Sequence, residues 1–128
     1  MTTLIKDQRI VAQPSPPDLV LEPTDDLALL AAAVGLARVI AVNFPKFSDG
    51  RSYSTARLLR ERYGYKEELR AVGEVARDHL YAMAQCGFDA FELRPGEDAQ
   101  EALRAFGDFS EQYQATTAQP APLFRRRA

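Results

Sequence analysis

Four times along this chain a short apolar segment gives way to a polar loop and then to an amphipathic segment. No other feature constrains the fold as much. Strands that alternate with helices of ten to fifteen residues build βαβ units around a mainly parallel sheet. The first strand is expected over Asp18–Glu22. Its helix enters at Thr24-Asp25-Asp26, good N-cap chemistry, and carries Leu27, Leu30, Ala31 and Val34 to Gly35. The second strand spans Arg38–Phe44, and its helix starts after Ser52 or Ser54 and stops at Gly64. The third spans Glu68–Val72, with a helix after Gly73 striped by Ala76, Leu80 and Met83 and ended by Gly87. The fourth spans Asp89–Leu93. Pro95-Gly96 then turns the chain into a last helix striped by Ala99, Ala102, Leu103, Phe106 and Tyr113.

Two segments flank this core. Residues 1–13 hold two β-type runs, Leu4-Ile5-Lys6 and Arg9-Ile10-Val11, about an Asp7-Gln8 turn, which predicts an N-terminal hairpin. Pro14-Ser15-Pro16-Pro17 is a stiff break. The single α/β domain is placed at 14–113. Residues 114–128 lack periodicity and are expected to be a disordered tail.

Side chains alternate faces along a strand, and Glu22, Asn43, Arg70 and Glu92 sit near the strand ends. If they share one face, the helices do not cover that face and the fold is half of a (βα) barrel. Such a half barrel would associate with itself or a partner through its bare face. The alternative is a small doubly wound sheet with helices on both sides, in which Arg70 and Glu92 make an ordinary edge pair.

Composition removes several function classes. The chain has 128 residues, 46% hydrophobic and 27% charged, as in one ordinary globular domain. Its net charge of −2 lacks the basic footprint of a nucleic-acid binder. The Arg125-Arg126-Arg127 cluster reads as a solvated end. One cysteine, Cys86, and one histidine, His79, exclude an intramolecular disulfide, a cysteine-rich metal site and a serine–histidine triad with spare candidates. No GxGxxG or P-loop spacing occurs, so no cofactor is expected on this chain alone. The start has no signal-peptide layout, and the longest apolar run, Leu27–Ala37, is too short to span a bilayer. No membrane role is expected, and the simplest location is cytoplasmic.

The densest chemistry lies in the loop from strand two into its helix. Lys46, Asp49, Arg51, Ser52, Tyr53 and Ser54 crowd a segment expected at the carboxyl edge of the sheet, where open α/β folds bind ligands. Helix-start N–H groups favour an anion there. Ser52 and Ser54 cap or bond it, Lys46 and Arg51 add charge, and Asp49 orients Arg51. The bland alternative is a tight turn with capping serines. Glu74 and Asp78 follow strand three at the same edge, one helical turn apart. They read either as an acid–base pair or as a dipole-favouring acid plus a surface ion pair. His79 reads as a helix histidine, and Cys86 as a packed, inert thiol at a helix C-terminus.

Three stretches carry a family resemblance. They are Phe44–Arg60, Glu68–His79 and Cys86–Leu93, together about half the chain, with the Ile5–Val11 hairpin also fitting. They resemble the bacterial family "domain of unknown function 934". That family more often has Gly at the position of Ser52 and often Gln at that of His79. Its genes commonly lie beside those for sulfite or nitrite reductase and sulfate assimilation, and an oxidoreductase label for members rests on that neighbourhood. The resemblance implies an accessory protein of assimilatory sulfur metabolism without independent activity. Its partner would be a sulfite or nitrite reductase, another enzyme of that metabolism, or a small oxyanion. The site is set at Lys46, Asp49, Arg51, Ser52, Tyr53, Ser54, Glu74 and Asp78. Catalytic residues stay unassigned and no metal is expected. The alternatives are a small enzyme on an anionic metabolite, with Asp49, Glu74 or Asp78 as acid or base, and a dimerising structural module.

Overall fold

In the computed structural model, residues 3–105 are described apart from Gln8, Gln13 and Phe47. The chain forms strands β1 (Leu4–Lys6), β2 (Arg9–Val11), β3 (Leu19–Leu21), β4 (Val39–Phe44), β5 (Glu68–Gly73) and β6 (Ala90–Glu92). The helices are α1 (Ala31–Leu36), entered through a 3₁₀ turn at Leu27–Leu30, α2 (Gly50–Glu61), α3 (Leu80–Gln85) and α4, seen over 99–105. The expected tail at 114–128, and the last helix beyond 105, lie outside the described residues.

All six strands join one sheet in the order β2-β1-β6-β5-β4-β3. The four strands β3 to β6 are parallel and adjacent in chain order. The predicted hairpin forms, with Leu4 opposite Val11, and β1 also pairs antiparallel with β6. The sheet is therefore mainly parallel with an antiparallel margin.

Identical handedness of successive crossovers places successive helices on one side when strand order follows chain order. Core packing agrees. Leu21, Ile40, Val42, Phe44, Leu69, Ala71 and Phe91 point from the sheet into the same cluster as Val34, Ala56, Leu59, Leu80, Met83 and Ala102 of the four helices. The doubly wound alternative is not the one adopted, and the arrangement is half-barrel-like.

The other face carries the four polar positions together. Asn43 Nδ2 donates to Glu22 Oε1 at 2.8 Å, and Arg70 lies in register with Ala41 and Ala90. This face is not wholly bare. The chain must cross from β2 at one margin to β3 at the other, and the Ser15 carbonyl accepts from Arg70 Nη1 at 2.8 Å. Arg70 pairs with Glu68 at 2.7 Å rather than with Glu92, and is only 2% exposed between its two alanine neighbours. Lys6 adds a second cation to Glu68 at 2.8 Å. Burial would raise the Glu68 carboxyl, but these two hydrogen bonds outweigh it and hold the group below its usual range.

Two helix starts depart from expectation. Helix α2 begins at Gly50, with Asp49 as its N-cap, not after Ser52 or Ser54. A carboxylate two residues before a free N–H can reach it, whereas Ser52 is already drawn inward. The helix after Gly73 is delayed. The chain bends at Glu74, where the Val75 N–H donates to the Gly73 carbonyl at 2.9 Å, Ala76 is extended, a single 3₁₀ turn spans Arg77–His79, and α3 starts at Leu80. Val75 is fully buried, and this inward turn delays the helix. No helix among the described residues is long and apolar enough to cross a membrane.

Candidate functional site

Strands β4 and β5 run in parallel register to their ends, with Phe44 opposite Gly73. The loops that follow therefore leave the same rim side by side. The Glu74 N–H donates to the Phe44 carbonyl at 2.8 Å. Gly73 makes this approach possible. Its φ is +94°, and a Cβ there would lie 2.4 Å from Asn43 Oδ1 and 2.6 Å from the Phe44 carbonyl.

Asp49 organises the first loop. Its Oδ1 accepts from the Arg51 backbone N–H at 3.0 Å and from Arg51 Nε at 3.1 Å, and its Oδ2 accepts from Nη2 at 2.9 Å. The Arg51 side-chain hydrogen bonds hold the Asp49 carboxyl below its ordinary range, helped by the Arg51 N–H and by the charges of Arg51 and Lys46. The expected orienting role of Asp49 is thus seen. It has a consequence: the place an incoming oxyanion would take at the α2 N-terminus is filled by the chain's own carboxylate.

The remaining candidates separate. Ser52 is fully buried, and its hydroxyl donates to the Asn43 carbonyl at 2.8 Å, tying α2 to the end of β4. Tyr53 turns its ring edge onto Phe44, with centroids 5.1 Å apart, and burial pushes its hydroxyl pKa up. Lys46 is exposed, and its carbonyl closes the turn by accepting from Asp49 N–H at 3.1 Å. Ser54 is exposed on the outer side of α2.

Asp49, Arg51 and Ser54 line a cleft of about 910 Å³. Its other wall holds Asp25, Asp26 and Leu27, while Leu58, Arg62 and Tyr63 extend it along α2. Lys46, Ser52, Tyr53, Glu74 and Asp78 do not line it. Asp25, Asp26, Arg62 and Tyr63 are the members the sequence reading left out. Asp25 and Asp26 were legible as cap residues, and each does serve a backbone N–H, that of Glu22 at 2.7 Å and that of Ala28 at 3.0 Å. The parallel β3–β4 pairing could have placed them at the same rim.

Glu74 and Asp78 do not form the expected pair on one helix face, because the chain bends at Glu74 and reaches Asp78 only on the 3₁₀ turn. Glu74 takes Arg94 Nη1 at 3.3 Å, and Arg94 also reaches Glu97 at 3.1 Å. Asp78 sits 3.6 Å from Arg77, which also pairs with Glu101, in a second cleft of about 400 Å³. These are exposed charge pairs already in partnership, on the β5–β6 side. His79 lies on the 3₁₀ turn instead of mid-helix. Cys86 is a partly buried free thiol at the α3 C-cap beside the Arg57 guanidinium. Among the described residues no group of three or more His, Cys, Asp or Glu could hold a metal ion.

Among the described residues the rim thus carries ion-paired side chains beside two clefts, the larger lined by Asp49 and Arg51 and the smaller by Arg77, Asp78 and Arg94. No curated protein and no solved structure matches this chain. A family model, Bacterial protein of unknown function (DUF934), matches residues 18–124, a span that holds the parallel strands, the rim loops and the cleft, and the chain belongs to that family.

Proposed function

We propose that this protein is an accessory component of assimilatory sulfur metabolism that docks on a reductase partner through the carboxyl edge of its sheet. The observation that carries the docking half is the Asp49–Arg51 pair. Because Asp49 occupies the helix N-terminus and engages Arg51 twice, the loop offers a preorganised, exposed guanidinium, 61% accessible at its side chain, and no vacant anion cradle. Rigid charge pairs at a rim favour orientation and rate of docking more than affinity for a free ion. Lys46 and the Arg94–Glu74 pair extend the charged row across the neighbouring loop. The sulfur half rests on the gene neighbourhood that the family resemblance implies.

The enzyme alternative has weaker support. Arg51 holds the Asp49 carboxyl below its ordinary range, and Glu74 and Asp78 are exposed and ion-paired with Arg94 and Arg77 outside the cleft that Asp49 lines. Affinity capture with the tagged chain, run beside an Arg51→Glu and Lys46→Glu double variant, tests the proposal. The reductase should be recovered with the first and lost with the second, and a deletion strain should grow poorly on sulfate but normally on a reduced sulfur source. Normal growth on sulfate, with no reductase captured, would remove this reading.

A further inference from the structure

The segment Leu27–Ala37 contains no charged or polar side chain, yet only Leu27, Val34 and Ala37 are buried. A helix apolar all round is normally enclosed. Here the outer face shows Leu29 at 82% exposure, on the 3₁₀ turn, and Leu36 at 86%, at the end of α1, with Ala31, Ala32 and Gly35 exposed between them and Ala28 just before. Leu29, Ala32 and Leu36 follow one another at three and four residues, the spacing of neighbours on a helix surface. Leu58 of α2, 42% exposed, continues this stripe across the cleft.

The charges at the two ends of this stripe are opposite. Asp25 and Asp26 stand exposed at its start, each accepting one backbone N–H, with Arg51 across the cleft paired to its own Asp49, and Arg38 and Arg62 stand exposed at its finish. The Asp18 carboxylate near Arg38 is engaged by the Arg38 and Val39 N–H groups. An apolar strip that is acidic at one end and basic at the other is complementary to itself when reversed. We propose that this face is a two-fold interface with a second copy of the chain, the two α1 helices packing antiparallel.

The register follows from the sequence. An axis midway between Leu29 and Leu36 sets Leu29 of one copy against Leu36 of the other. It brings the Asp25–Asp26 end against the Arg38–Arg62 end on both sides. Two-fold symmetry then doubles every such contact. Ala28, Ala32 and Gly35 allow close approach, near the lower end of the usual interaxial range of about 8–10 Å. One ten-residue face falls short of the roughly 800 Å² per partner of a standard interface, even with Leu58, Arg62 and Tyr63 at its flank, so dissociation in the micromolar range is expected. This inference concerns the outer side of α1 and does not rest on the rim proposal. A dimer with no reductase binding, or the converse, separates the two.

Sedimentation velocity on the full chain, from about 1 μM to 1 mM, reads the association directly. The expected result is a concentration-dependent shift from 14.2 kDa to twice that mass. Leu36→Asp should raise the dissociation constant about a hundredfold or more, since the leucine is buried twice per dimer. Its circular dichroism should be unchanged, because the side chain is exposed in the monomer. Arg62→Glu should weaken association by about tenfold or less, and adding Asp25→Lys should restore it. In a Cys86→Ser background, Ala32→Cys should cross-link under mild oxidation. Leu36→Cys should not, its copies lying about 10 Å apart by helix rise. A chain that stays monomeric to 1 mM, or a dimer indifferent to Leu36→Asp and Arg62→Glu, would overturn the proposal.

Discussion

The two ends of the sheet are built on opposite plans. At the amino end, beside the Lys6–Glu68–Arg70 side-chain cluster, side chains reach the backbone of distant segments. Arg60 donates to the carbonyls of Gly87 at 2.9 Å, Tyr65 at 2.8 Å and Glu67 at 2.9 Å, and lies 3.6 Å from Asp89. Asp89 in turn accepts from the Leu69 N–H at 2.8 Å, and Asp18 accepts from the N–H groups of Arg38 and Val39. At the carboxyl end, ion pairs such as Asp49–Arg51 and Glu74–Arg94 join side chains of the rim itself and leave the guanidinium groups accessible, while Asp25, Asp26 and Asp49 bind backbone only two or three residues away. Ser52 and Thr55 spend buried hydroxyls on backbone carbonyls there, those of Asn43 and Arg51. The first plan ties together segments that are far apart in the chain. The second leaves charges presentable at a rim. One arginine at each end, Arg60 with 8% and Arg51 with 61% side-chain exposure, makes the contrast measurable.

The largest effect should come from Arg60→Met. Three carbonyls lose their donor and Asp89 its cation, so urea unfolding should show a loss of about 3 kcal/mol or more. A loss below about 1 kcal/mol would mean that water replaces the guanidinium, and the two ends would then not differ as described. Gly73→Ala comes next, at about 2 kcal/mol, from a positive φ and a backbone clash. It should also separate the two rim loops, seen as amide shift changes at both Phe44 and Glu74.

Tyr65 sharpens the comparison through pH. Burial pushes its hydroxyl from 10.0 up to about 12, against the lowering effect of nearby Arg60. The folded chain therefore holds this proton more tightly than the unfolded chain. Its contribution is full below pH 10 and is lost as pH rises toward 12. Tyr65→Phe should cost about 1 kcal/mol near neutrality, through the lost bond to the Glu68 carbonyl, and should flatten the alkaline decline. An unchanged alkaline slope in the variant would assign the decline to other groups. At the carboxyl end, Asp49→Ala should cost about 1 kcal/mol as a lost N-cap. Arg51→Met should be the smallest effect, within about 0.5 kcal/mol, because an exposed pair contributes little. A large loss from Arg51→Met would make that arginine structural and weaken the docking proposal.

Much of this fold was legible in the chain because it depends on local pattern. The four strands, their order of appearance and the hairpin follow from apolar runs and turns. The shared face of Glu22, Asn43, Arg70 and Glu92 follows from the two-residue strand period. The rim loops were also legible, since parallel strands in register must release their loops together. The failures share a cause. Ser52 reads as a cap until the Asn43 carbonyl claims its hydroxyl, and Glu74 reads as helical until Val75 is drawn into the core. Asp25 and Asp26 read as caps alone until the β3–β4 pairing brings them opposite Arg51.

By itself the sequence determined what short-range physics decides: which segments are extended or helical, where N-cap chemistry lies, and that Asp49 and Arg51 stand within reach of each other. Only the tertiary structure decided which side of the sheet the helices take. It also decided that the segment at Ser15 meets Arg70, and that the uncharged outer face of Leu27–Leu36 is left in solvent. Those outcomes turn on which distant groups compete for the same hydrogen bond or the same apolar surface, and residue spacing along a chain carries no record of that competition.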